Sequence, residues 1–139
     1  MQTVSDLTVE MIKYIEAKRD WVRNHYTIET ISEYDSVAGK LKLLDTIIKS
    51  NWINKHESYK LQSLGITLGD ILVQDMNFVW VEVKDQYGTD PALQLPDTTL
   101  ILFPLTMISK RIETGKDVDI YELYDGLKEK VKEIKHEAQ

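Results

Sequence analysis

No cysteine occurs among the 139 residues, which excludes disulfides and every site built on a thiolate, whether metal ligand or nucleophile. Long apolar runs are also missing: no window approaches the roughly 18 apolar residues of a membrane span. The opening stretch, MQTVSDLTVEMIKYIEAKRD, interleaves charges with its apolar residues and lacks the unbroken apolar centre of a secretion signal. These absences predict a soluble, cytoplasmic protein with no membrane association. Basic charge is in short supply as well. The net charge is -6, and residues 1–60 hold nine basic and nine acidic side chains against eight and fourteen in residues 61–139. Phosphate backbones are bound through clustered lysine and arginine that release counterions, so nucleic acid is not an expected partner.

The short motifs of nucleotide, metal and acyl chemistry are missing too. Gly39-Lys40 is followed by Leu41, and Tyr34 stands five positions before Gly39, so no P-loop is formed. Gly65 to Gly69 has neither the glycine spacing nor the preceding strand of a dinucleotide fingerprint. His25, His56 and His136 show no HxxxH or HExxH pairing and read as surface residues. No serine lies in a GxSxG elbow. No metal site and no cofactor is predicted.

What is present is periodicity. A chain of this length with 42% hydrophobic residues is long enough to bury its own core and is expected to form one domain. Residues 6–26 place Leu7, Met11, Ile15 and Val22 on one helical stripe, capped by Ser5 or Asp6, and residues 27–34 form a connector with one helical turn. From Ser36 a second helix repeats Val37, Leu41, Leu44, Ile48 and Trp52. A third carries Leu61, Leu64, Leu68 and Ile71, with Asn54 and Glu57 at capping-box spacing before it and Asn77 as its left-handed stop. Gly65 and Gly69 lie one turn apart on that helix, which predicts close approach of another backbone there, ahead of a break in the helix between them.

At Phe78 the period changes from 3.6 to 2. Strands are predicted near 78–85, 92–95 and 98–103, with the last in the middle of the sheet and the face of Val79, Val81 and Val83 turned to the core. Pro104 opens a helix that Gly115 ends, and Asp119 with Glu122 caps the last one, which carries Leu123, Leu127, Val131 and Ile134. The expected fold is therefore α+β: a small central antiparallel sheet of about three strands, packed by N-terminal helices and two C-terminal helices. Residues 1–53 make its helical part and 54–139 its helix-sheet-helix part.

Candidate chemistry gathers around the sheet. Asp70, Asp75, Glu82, Asp85, Asp90 and Asp97 fall near helix ends and strand turns. Carboxylates converging on one pocket can act as acid and base or hold magnesium, but no ligand spacing fixes such convergence here. A solvated acidic rim is the plainer expectation, and recruitment of a basic partner surface is its expected use if the rim is functional. Trp21, Trp52, Trp80 and Tyr87 are anchors for that partner wherever they lie outside the core.

Leu64-Gly65, Leu68-Gly69-Asp70, Trp80, DQYGTDPAL from Asp85 to Leu93 and FPLTMISKRIETG from Phe103 to Gly115 resemble, in order and spacing, an uncharacterised family of bacterial domains of unknown function. The resemblance covers the second half of the chain and implies a small α+β bacterial domain, without an activity to carry over. It marks Asp70, Tyr87, Asp90, Lys110 and Arg111 among the matching positions. The leading expectation is a non-enzymatic module that binds another protein or itself through Asp70, Trp80, Asp85, Tyr87, Asp90, Lys110 and Arg111, in the manner of an immunity protein or antitoxin. The second is a small-molecule or metal-binding enzyme using Asp70, Asp85 and Asp90.

Overall fold

A computed structural model describes residues 2–27 and 29–137. The chain runs β1 (Thr3–Ser5), α1 (Val9–Arg23), a 3-10 turn (Ile31–Asp35), α2 (Val37–Lys49), α3 (Ser58–Met76), β2 (Val79–Asp85), β3 (Gly88–Gln94), β4 (Ile101–Leu102), a second 3-10 turn (Pro104–Thr106), α4 (Ser109–Glu113) and α5 (Ile120–Glu137). The fold is α+β, with an antiparallel sheet in the order β1-β2-β3-β4. No helix among the described residues is long and apolar enough to cross a membrane.

Helix α3 is the pillar. Eleven of its residues are buried, because it is apolar nearly all round and is covered by α1, α2 and the Pro104 turn. One buried cluster reaches from Val22 on α1 through Leu44, Leu61, Leu68 and Ile71 to Phe78, Leu93 and Val131. Each such side chain contributes about 1.5–3 kcal/mol when removed from water. Gly65 meets another backbone as expected, whereas Gly69 makes room for a side chain. A methyl on Gly65 would stand 2.3 Å from the Pro104 carbonyl oxygen, and one on Gly69 2.5 Å from the Trp80 ring. Asn77 stops the helix at φ 62°.

Four sheet features differ from expectation. The segment predicted as a central strand is an edge, and only Ile101 and Leu102 pair, with Gln94 and Leu93. Thr98 turns back to bond the Leu95 carbonyl through both its amide and its hydroxyl, and Asp97 adopts φ 65°, so residues 97–100 close a turn. The strand predicted at 92–95 is longer, Gly88–Gln94. Pro91 is tolerated within it because β4 pairs only with Leu93 and Gln94, leaving that edge of β3 free. A fourth strand, β1, joins β2 at Thr3, Val4 and Ser5. All three of its residues are exposed, so they show no alternation to read.

The faces are also shared differently. Trp80 pairs with Leu93 and Val81 with Ala92, so the side that receives the helices carries Phe78, Trp80 and Leu93. Val81, Val83 and Ala92 form a separate small cluster with Ile101, and Val79 is half exposed. Glu82 lies on the Trp80 side and accepts the Thr8 amide at 2.7 Å. It therefore places a carboxylate at the N-terminus of α1, where the helix dipole favours it. Thr8, rather than Ser5 or Asp6, is the N-cap and accepts from the Met11 amide. Trp52 lies beyond the end of α2 and is exposed instead of continuing its stripe.

Candidate functional site

The hairpin joining β2 and β3 is tight. Asp85 pairs with Gly88, so the loop is Gln86 and Tyr87 alone. Asp85 Oδ1 accepts the Tyr87 amide at 2.8 Å, an Asx turn that fixes the tip. Gly88, at φ 134°, supplies a conformation that side chains resist. The result holds Tyr87 at 87% exposure. Asp90, a short way down β3 and exposed, pairs with Val83 and so belongs to the opposite sheet face from Trp80.

Asp70 has different company. Its carboxylate accepts Arg19 Nε at 2.6 Å and Arg19 Nη2 at 2.8 Å, the Tyr34 hydroxyl at 2.8 Å and Trp80 Nε1 at 3.1 Å. The Tyr34 oxygen also contacts Thr67 Oγ1 at 3.1 Å. These bonds tie α1, the first 3-10 turn, α3 and β2 together in one place. Burial, reinforced by the Asp70 charge, pushes the Tyr34 phenol far above its ordinary value, and the bond to Asp70 holds the Arg19 guanidinium charged. Asp70 and Trp80 thus meet, as neighbours in a structural joint. The sequence reading singled out neither Arg19 nor Tyr34, because the partners lie 51 and 36 positions from Asp70 and no local spacing marks such contacts.

The other named acids do not join them. Asp75 accepts the Tyr124 hydroxyl, Glu82 caps α1 and Asp85 pins the hairpin. Among the described residues no group of three or more histidine, aspartate or glutamate side chains is arranged to hold a metal ion. Lys110 and Arg111 are exposed on α4, where Arg111 Nη1 donates to the Met107 carbonyl at 2.5 Å. All three histidines are exposed.

Two buried lysines went unnoticed in the sequence, since each falls on a helix where lysine is ordinary. Lys18 is 2% exposed, with its Nζ 3.8 Å from the centre of the Tyr59 ring and 4.7 Å from that of Tyr14. Burial lowers its pKa. Burying an ammonium costs several kcal/mol, of which two aromatic faces return about 2 kcal/mol. Lys18→Met is therefore expected to raise stability at neutral pH by about 1 kcal/mol. The folded state gives up the Lys18 proton before the unfolded one does, so wild-type stability should rise with pH up to the ordinary lysine value of 10.5. Urea titrations between neutral and pH 10 check this: the variant should lose part of that rise and keep the share due to Lys40, and an unchanged slope would show that Lys18 does not contribute.

The profile of a domain of unknown function, DUF3806, matches residues 40–124. That range holds most of α2, all of α3, the hairpin and the Pro104 turn, and it begins earlier than the resemblance read from the sequence. No curated protein matches. A crystal structure of a protein from Bacteroides thetaiotaomicron VPI-5482, at 1.50 Å resolution, superposes with a TM-score of 0.74 over 91% of this chain at 16% identity. This chain spans 47% of that one, and at such identity the likeness shows the shared fold alone. With more than half of its residues matched, the chain belongs to the DUF3806 family, a domain of unknown function.

Proposed function

We propose that this domain is a non-enzymatic protein-interaction module whose contact point is the β2–β3 hairpin tip, presented to a basic partner surface. The observation that carries the reading is Tyr87, 87% exposed on a loop pinned by Asp85. An aromatic ring held out on a rigid turn loses little freedom on binding and supplies a large contact area. Asp90 adds a charge without an internal partner among the described residues, and the excess acid of residues 61–139 favours approach of positive surfaces. The acidic surface is narrower than the count of carboxylates implies, because Asp70, Asp75, Glu82 and Asp85 are occupied within the fold. In this reading Asp70 and Trp80 position the hairpin rather than touch the partner.

A photo-crosslinking amino acid placed at Tyr87 in the cells that make the protein tests this. A discrete adduct is expected, with at least a fivefold loss on adding Asp90→Lys, roughly 1 kcal/mol of affinity. The same label at exposed Trp52 should not give that adduct. No adduct at Tyr87, or the same one from Trp52, overturns the assignment.

A further inference from the structure

Lys40 has a buried positive charge without a matching negative one. Its side chain is 5% exposed, yet among the described residues its Nζ meets no carboxylate. It donates to Gln74 Oε1 at 2.5 Å and stands 5.1 Å from the centre of the Tyr34 ring. An ammonium has three donors, and only one finds a protein acceptor among the described residues. The Arg23 guanidinium stands 5.2 Å from the centre of the same ring. Lys40, Arg23, Tyr34 and Gln74 line an open concavity of about 330 Å³, whose remaining walls are Arg19, Asp35 and Asp70.

The arginines around it are paired, and Lys40 is not. Asp70 is engaged by both nitrogens of the Arg19 fork. Arg23 uses Nη1 on Asp20 at 3.0 Å and on Glu16 at 3.6 Å, leaving the rest of its fork available. Asp35 is exposed, and its carbonyl accepts Gln74 Nε2, so the glutamine is oriented with its oxygen toward Lys40. Burial lowers the Lys40 pKa, the carboxylates of Asp70 and Asp35 draw it back up, and Arg19 and Arg23 press it down again. Three cations share the walls with two carboxylates, while Glu16 and Asp20 outside the walls pair the guanidinium groups of Arg19 and Arg23, so that Lys40 is the cation of the three left without a carboxylate partner among the described residues.

We propose that this concavity binds a small oxyanion, a carboxylate or a phosphate, through Lys40 Nζ and the Arg23 fork. Such a ligand supplies the missing counter-charge and fills the idle donors. The site lies at the α1–α2–α3 surface and uses none of the hairpin residues, so it stands or falls separately from the interaction reading.

Thermal melts in sodium phosphate, in sodium succinate and in sodium chloride at equal ionic strength test it. With about 10 mM ligand and a dissociation constant of about 1 mM, phosphate or succinate should raise the Tm by about 3–6 °C over chloride. Whichever of the two acts identifies the headgroup. The increment should vanish in Lys40→Met and persist in Lys130→Met, a surface lysine of α5. Gln74→Glu offers a second test, because it puts a carboxylate on Lys40 from within and should close the site to the anion even if Lys40→Met does not fold. An absent increment in the wild type, or one retained in Lys40→Met or Gln74→Glu, overturns the proposal.

Discussion

Asp70→Ala should cost about 3–5 kcal/mol of folding free energy, the usual penalty for removing one partner of a buried ion pair. The carboxylate and the Arg19 side chain are only 12% and 20% exposed. Its loss leaves the guanidinium with Glu16 alone, itself about half exposed. The Tyr34 hydroxyl retains Thr67, but Trp80 Nε1 loses the only acceptor found for it among the described residues. An orphaned buried donor adds about 1–3 kcal/mol. Urea unfolding followed by fluorescence measures the loss. A double variant with Arg19→Leu should recover part of it, since the stranded cation goes too. A loss below about 1 kcal/mol would show that water replaces the carboxylate without difficulty and that the joint is not structural.

Gly65→Ala is the second large effect, and here two terms oppose. Alanine in a helix interior gains about 1 kcal/mol over glycine. The new methyl, however, would stand 2.3 Å from the Pro104 carbonyl oxygen and 2.6 Å from that of Leu105. Both are backbone atoms, so no side chain can rotate aside, and the Pro104 turn must move away from α3. Overpacking of this kind costs about 3 kcal/mol. The clash wins, with a net loss of about 2 kcal/mol and a Tm lowered by roughly 5–10 °C. A variant at least as stable as wild type would mean that the turn yields freely and that glycine is not required there.

Both predictions rest on residues that stood out in the sequence, yet the reasons differ from those the sequence offered. Gly65 and Gly69 signalled a close approach because two glycines one turn apart are costly in a helix. Their partners, a carbonyl 39 positions on and the Trp80 ring, had no local mark. Asp70 drew notice as an acid near Asp85 and Asp90. In the fold it turns instead to Arg19 and Tyr34, while Asp90 belongs to the other sheet face. The TLILFP segment read as the most buried strand, since apolar runs belong in sheet centres. A threonine turn took most of its length and left two residues at an edge.

The tyrosines set an upper pH limit for the same core. Burial raises Tyr26 and Tyr124 to about 12, and Tyr34 rises as well. A phenol that stays protonated longer when folded stabilises fully below its ordinary value of 10.0 and loses that contribution as pH climbs above it. The gain from the buried lysines and the loss from the phenols thus meet near pH 10.

By itself the sequence determined the α+β class, the amphipathic helices, the left-handed stop at Asn77, the start of α2 after Ser36, the cap at Asp119 and the close approach at Gly65. Each depends on neighbours within about one turn of helix or a strand repeat, and that periodicity is written directly in residue order. The tertiary structure decided the rest: which sheet face meets the helices, where the three-residue β1 attaches, how Asp70 is neutralised, and that Lys40 is buried with Gln74 rather than a carboxylate as its partner. Those outcomes depend on side chains brought together from tens of positions apart, where packing and desolvation choose the partner and local pattern carries no record of it.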